Sequence, residues 1–302
     1  MVMVHRISKT LEKINCTFPL RAISTIGCGP KEVSCLMPTT EEELKEAIAY
    51  IRTQYNKFPV ILGLCSNLLV SEDPSFNQPF LSLIKLKGKT RLGSAFTAFA
   101  GEGLHDIVAD SLCFTSDMTG LSGIPGTIGG AVVGNAGAEG TSISDLVESV
   151  KCIDLNGAFH TLTRNECDFK YRSSIFQQRE LIVTEVRFHL HEGDSSQARK
   201  LFENAIRRRK ERGIGLEPSL GSFFRNPSSI ISAGKLMDQA GLKGMSIGKA
   251  KVSQHHANIL VNPQRMASSA EVAALAKYCH KTILNLYGIN LKPEVVLYGL
   301  NI

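Results

Sequence analysis

The chain has 302 residues, of which 43% are hydrophobic and 21% charged, and a formal net charge of +6. At about 150 residues per domain this predicts two domains or one large one, and the apolar content excludes a disordered chain. The most apolar stretch, 58–70, is broken by Ser66 and Asn67 and is shorter than the roughly 20 residues that span a bilayer, so no membrane insertion is expected.

The opening MVMVHRISKTLEKIN has no apolar run followed by a small-residue cleavage site, so it does not read as a secretory leader. Thr40 and Glu43 have capping-box spacing, and Leu44, Ala47, Ile48 and Ile51 follow with helical period, which predicts a helix over 40–55. The run 59–62 then reads as a buried strand ending at Gly63. Further strands are expected within 81–86, 95–100, 146–153 and 181–190, with a helix over 104–112. A helix over 196–212 carries Ala198, Leu201, Phe202, Ala205 and Ile206 on one face. A last helix over 269–287 precedes a strand at 294–298. The polar stretch 191–197 (HEGDSSQ) is the candidate domain boundary. Helix and strand mixed in this way predict an α/β or α+β arrangement.

Eight cysteines are scattered singly, with no CxxC pair, so neither a metal site nor thioredoxin-like chemistry is expected. A reducing cytoplasm suits them. The Arg207, Arg208, Arg209, Lys210 and Arg212 run is weighed as a nucleic-acid patch and read instead as a solvated helix face.

Glycine marks the candidate site. Eight of the 21 positions in 120–140 are glycine, a density that dilutes a core and weakens helices. Tight turns are one reason for such density, and close approach of backbone N–H groups to a phosphate is another. A second small polar loop, Gly63-Leu64-Cys65-Ser66-Asn67, follows the strand at 59–62. Two such loops, one too long for a turn, favour a nucleotide-like cofactor. Neither GxGxxG nor the Walker pattern is met. Gly27-Cys28-Gly29 continues to Glu32, and Gly88-Lys89-Thr90 has Leu83 where the leading glycine belongs. Three segments combine reactive groups with stiff neighbours: Tyr171-Arg172-Ser173-Ser174, 221–227 (GSFFRNP) and Leu291-Lys292-Pro293-Glu294-Val295.

Taken in order, these segments resemble the UDP-N-acetylenolpyruvoylglucosamine reductase family, the flavoenzymes called MurB. Residues 24–30 (STIGCGP) resemble its TFxIGGP opening, with Ser24 and Cys28 as departures. Residues 63–70 (GLCSNLLV) resemble its GxGSNLLV loop, with Cys65 for glycine. Residues 123–140 (GIPGTIGGAVVGNAGAEG) resemble its GIPGxxGGAxxxNAGAYG loop, with Glu139 where tyrosine is common. The segments 171–176, 221–227, 237–262 and 293–299 resemble the remaining signatures. The short spacing from Arg172 to Gly221 is similar to that of the family's shorter class, type II, which lacks an extra tyrosine-bearing loop.

The resemblance implies an α+β chain. An FAD-binding domain of the vanillyl-alcohol-oxidase (PCMH) type would occupy 1–193, and a smaller α+β substrate domain 194–302, with the strand near Glu294 returning to the active site. FAD would be held non-covalently, no histidine being present in either loop. Its implied contacts are Gly63, Cys65, Ser66, Asn67, Leu68, Gly123, Ile124, Pro125, Gly126, Thr127, Gly129, Gly130, Asn135, Ala136 and Gly137. NADPH is the implied co-substrate and UDP-N-acetylglucosamine enolpyruvate the substrate, reduced to UDP-N-acetylmuramate for peptidoglycan. The implied catalytic residues are Arg172 for the carboxylate, Glu294 for the intermediate and Ser222 as proton donor. Tyr171, Arg225, Asn226, Lys243, His256 and Asn258 are the implied substrate contacts. Arg225 stands where lysine is frequent, and Val296 leaves no cation just after Glu294. A monomer without nucleic-acid partners is expected. The alternative on the same fold is an FAD-dependent oxidase of a sugar or alcohol.

Overall fold

A computed structural model describes residues 9–302, so the reading of the opening MVMVHRIS lies outside the described residues. The chain forms two compact units, interleaved in sequence. The first runs to Phe18, then Val33–Gly63 and Gln78–Phe202; the second is Pro19–Glu32, Leu64–Asn77 and Glu203–Ile302. The polar stretch 191–197 is exposed, and its last three residues open the helix Ser195–Glu211, which starts in the first unit and ends in the second.

Among the described residues the first unit holds two large sheets besides the two-stranded hairpin Gly137–Ala138 with Thr141–Ser142. One has four strands in the order Asn15–Phe18, Val33–Leu36, Phe80–Ser82, Val60–Leu62, the first pair antiparallel and the others parallel. The other is antiparallel throughout, in the order Phe159–Thr163, Val147–Asp154, Leu181–His189, Ala95–Phe99, Lys89–Leu92. The expected helix is Glu41–Tyr55, and its stripe Leu44, Ala47, Ile48 and Ile51 is buried. These side chains join Val150, Ile182, Val186 and Phe188 in one core. Burial of each large apolar side chain contributes about 1.5–3 kcal/mol.

The capping box of this helix is only half present. Thr40 Oγ1 accepts the Glu43 N–H at 3.1 Å, but the Glu43 carboxylate takes the Thr39 N–H and hydroxyl, each at 2.7 Å. Lys13 Nζ donates to it at 2.7 Å, and these donors, Lys13 first, hold the Glu43 pKa down at about 2.

The second unit pairs Ser219–Ser222, Ile259–Val261, Ala250–Val252 and Ser246–Ile247 in one antiparallel sheet. The helix Ser269–Tyr287 packs on it, opened by a complete Ser268–Glu271 capping box and closed by Gly288 in the left-handed conformation. Val296–Tyr298 pairs in parallel with Leu68–Val70. Its core gathers Phe223, Phe224, Met237, Val252 and Leu275 with Ile26, Cys28 and Leu69 from early in the chain. Among the described residues no helix is long and apolar enough to cross a membrane.

Candidate active site

In the first unit the glycine-rich segment contains a short helix, Ile128–Val133, capped by Thr127. Its opening N–H groups are already committed. Ile128 donates to Glu102 O at 2.9 Å, Gly129 to Ala100 O at 3.0 Å, and Gly130 to Thr127 Oγ1 at 3.3 Å. The N–H groups just before them, of Gly123, Gly126 and Thr127, have no acceptor among the described residues. Gly123 at φ 71° and Gly126 at φ 138° adopt backbone conformations that favour glycine. Three open donors on one turn suit an anionic oxygen cluster.

The glycines differ in what they leave room for. A Cβ on Gly129 would stand 2.9 Å from Ala100 Cβ, so that glycine serves packing. A Cβ on Gly63 would meet Thr127 Oγ1 at 2.7 Å. A Cβ on Gly130 would meet only Thr127 Oγ1, at 3.5 Å, and the position is exposed. A flat or phosphorylated ligand can therefore approach at Gly130 where the protein itself does not.

Asn135, Glu139 and Arg172 all have left-handed backbones, at φ 43°, 50° and 54°. Such strain persists only where surrounding bonds over-determine it. Here the bonds are identifiable. Asn135 Nδ2 donates to Lys170 O at 2.9 Å, and its Oδ1 accepts from Ser144 N at 3.3 Å. Arg172 Nη2 donates to Gly137 O at 2.7 Å and Nη1 to Asn135 O at 3.4 Å. The Arg172 guanidinium also lies 5.3 Å from the centroid of the exposed Tyr171 ring. Glu139 and Gly140, both at positive φ, turn the tight hairpin Gly137–Ala138 to Thr141–Ser142. Arg172 thus braces the loop that carries Asn135, Ala136 and Gly137.

In the second unit the loop 64–68 enters the strand Leu68–Val70. Cys65 has a left-handed backbone at φ 48°, and burial pushes its thiol up to about 12, so it remains a neutral thiol. Asn67 Nδ2 donates to Glu294 O at 3.1 Å, and Asn67 O accepts from Val296 N at 3.0 Å. Ser222 ends its strand beside Gly221, whose φ is 73°. Beyond it the chain pairs with the segment bearing Glu294: Glu294 N donates to Phe223 O at 2.8 Å, and Arg225 N to Lys292 O at 2.9 Å. Ser222 and Glu294 therefore lie on neighbouring backbones.

The other expected contacts take varied places in this unit. Arg225 Nε is buried with no hydrogen-bond partner, an orphaned donor that an anionic or carbonyl group would satisfy. Asn226 Oδ1 accepts from Ala233 N at 3.1 Å, and Lys243 pairs with Asp238 at 2.9 Å. Burial, with the positive charges of Lys243 and Arg212, lowers the His256 pKa. Its Nδ1 accepts from Asn258 N at 3.2 Å, which places the proton of the neutral ring on Nε2. The Asn258 side chain is itself buried and bonded to the Phe224 backbone. Sequence reasoning passed over Asn262, whose fully buried amide donates to Ile26 O at 3.0 Å and accepts from Met266 N and Ala267 N at 2.9 Å. Its one sequence signal is the following Pro263, since Asn-Pro favours turns. Among the described residues no group of three or more His, Cys, Asp or Glu could hold a metal ion.

Residues 34–163 match the FAD binding domain family, and residues 213–298 match the C-terminal domain family of UDP-N-acetylenolpyruvoylglucosamine reductase. The reductase of that name from Caldanaerobacter subterraneus subsp. tengcongensis is 35% identical over 303 residues, covering 99% of this chain and 98% of that protein. The one from Shouchella clausii is 36% identical over 87% of this chain and 84% of its own length. Among solved structures, the reductase (MurB) from Thermus caldophilus is similar with a TM-score of 0.77 and 29% identity. It covers 94% of this chain and 98% of that one. The open donors at 123–127 and the room beside Gly130 fit an FAD diphosphate.

Proposed function

Because the chain belongs to the UDP-N-acetylenolpyruvoylglucosamine reductase family of FAD-containing oxidoreductases, we propose that it reduces UDP-N-acetylglucosamine enolpyruvate to UDP-N-acetylmuramate, with NADPH as electron source. The observation that carries this reading is the pairing of the Ser222 strand end with the segment bearing Glu294. It supports a proton donor and a carboxylate acting on one small substrate group.

FAD, when bound, would supply two-electron hydride chemistry between NADPH and the terminal carbon of the enolpyruvyl double bond. The turn 123–127 would hold its diphosphate through the N–H groups of Gly123, Gly126 and Thr127, with Gly130 giving clearance. Hydride addition leaves negative charge on the adjacent carbon and its carboxylate, which preorganised donors must meet. Arg172 is assigned to that carboxylate, its planar, permanently charged fork matching two oxygens. Glu294 would orient or polarise the intermediate. Ser222 would transfer its hydroxyl proton to the carbon that bears the charge, completing the reduction. Arg225, with its unsatisfied buried Nε, is the strongest of the proposed contacts to the UDP-sugar. A reducing cytoplasm is the compartment that suits the scattered single cysteines, and a monomer is the assembly read for the chain.

The test is an anaerobic visible spectrum of the flavin-loaded protein. The yellow absorbance is expected to bleach on adding NADPH and to return on adding the enolpyruvyl UDP-sugar. Bleaching without return would keep the flavin domain and overturn the substrate; a protein that takes up no FAD would overturn the enzyme reading.

A further inference from the structure

Asn258 makes a set of bonds that a substrate contact would not make. Its Oδ1 accepts from Phe224 N at 2.9 Å, its Nδ2 donates to Phe224 O at 2.8 Å, and its backbone O accepts from Phe223 N at 2.8 Å. One asparagine thus takes the place of a paired strand along two consecutive residues. Flipping the amide would set oxygen against carbonyl and nitrogen against N–H, so its orientation is fixed by its partners. Phe223 O, the remaining polar group of the two residues, accepts from Glu294 N at 2.8 Å. Both phenyl rings are 1% exposed, packed edge to face with centroids 5.2 Å apart.

Every polar backbone group between Ser222 and Arg225 is therefore committed, three of the four to Asn258. Asn258 is 3% exposed, and its amide keeps only one N–H beyond these bonds, which leaves little with which to hold a sugar or a uracil. Its own N–H is bonded to His256 Nδ1, which holds it in turn from behind.

We propose that Asn258 is a positioning residue: its buried amide fixes the Phe223–Phe224 backbone and thereby sets where the Ser222 hydroxyl and the Glu294 carboxylate stand relative to each other. The proposal rests on the reading of Ser222 and Glu294 given above. It replaces the expected substrate contact at Asn258 with a buried brace.

The test compares wild type with Asn258→Asp and the milder Asn258→Ser. Asn258→Asp keeps an acceptor for Phe224 N–H but turns a second oxygen on Phe224 C=O, repelling it. Reduction of the bound flavin by NADPH is expected to stay within about threefold of wild type. Reoxidation by the enolpyruvyl UDP-sugar is expected to slow by about a hundredfold, the scale of a misplacement near 1 Å. The solvent deuterium isotope effect on reoxidation should rise as proton transfer becomes limiting, while the substrate Kd hardly moves. A weakened Kd with an unchanged isotope effect would restore the substrate contact and overturn the proposal. Unchanged reoxidation in both variants would overturn it too. A second measurement does not depend on the variants folding: in wild type, hydrogen exchange at Phe223 and Phe224 must be as slow as in the sheet core. Exchange at loop rates would overturn the brace. Wild-type flavin that the UDP-sugar fails to reoxidise would instead overturn the functional reading, which keeps the two failures apart.

Discussion

A serine hydroxyl is a weak acid in water, so the role assigned to Ser222 depends on a strongly basic partner and on placement. Placement is where this chain invests its bonds. The strand end at Ser222 is followed by two buried phenylalanines and is tied to the Glu294 segment by the Glu294–Phe223 and Arg225–Lys292 hydrogen bonds. Ser222→Ala is expected to leave flavin reduction by NADPH within about twofold of wild type and to slow reoxidation by the UDP-sugar by about 10²–10⁴, the range of general acid catalysis. Anaerobic stopped-flow absorbance separates the two half-reactions. Equal losses in both would make Ser222 part of the site's assembly and not its proton donor. Arg172 shows the same investment in placement: two of its N–H groups hold a strained loop through Asn135 O and Gly137 O.

At the scale of elements, Gly129 and Gly130 are neighbours in sequence but answer to different physics. A methyl at Gly129 would press on Ala100, so Gly129→Ala is expected to lower stability by about 1–3 kcal/mol, with or without flavin. A methyl at Gly130 finds space, and alanine improves helix propensity, so Gly130→Ala is expected to raise flavin-free stability by up to about 1 kcal/mol. The same variant should lose FAD, because the methyl fills the space proposed for the diphosphate. Thermal melts of flavin-free protein, together with titration of FAD by fluorescence, read both effects. Wild-type affinity in Gly130→Ala would remove that position from the cofactor's surroundings.

The same two glycines explain what could be read from the chain in advance. The helix Glu41–Tyr55 was legible because its cap and its apolar stripe agree, and Ser269–Tyr287 for the same reason. The helix Ile128–Val133 was not, since IGGAVV has poor intrinsic helix propensity and forms where tertiary contacts such as Gly129 against Ala100 override it. Glycine density did point to the loop with open N–H groups. It did not say which glycines serve packing. The pairing of Ser222 with Glu294 depends on a non-local register that no local pattern encodes, and only a family resemblance brought the two together. Asn258 was picked out by its motif, yet its burial and its grip on Phe224 became visible only in the fold.

At the scale of the whole molecule, the interleaving of the two units has a testable cost. Ile26, Cys28 and Leu69 belong to the core of the second unit but precede most of that unit by more than a hundred positions of chain. The strand Leu68–Val70, which they accompany, is the partner of Val296–Tyr298. A fragment of residues 203–302 keeps its four-stranded sheet and its long helix but loses these three side chains and that strand. Each large apolar side chain removed from a packed core costs about 2–5 kcal/mol, and a domain's whole stability is only about 5–15 kcal/mol. The fragment is therefore expected to keep some helical circular dichroism and to lose a cooperative thermal transition. A fragment cut at residue 194 should behave alike, since the added residues supply none of the missing core. Joining 19–32 and 64–77 back to it through flexible linkers should restore the transition. A sharp melt in the bare fragment would mean that its core closes without Ile26, Cys28 and Leu69, and that these early segments are attachments to the second unit and not part of its foundation.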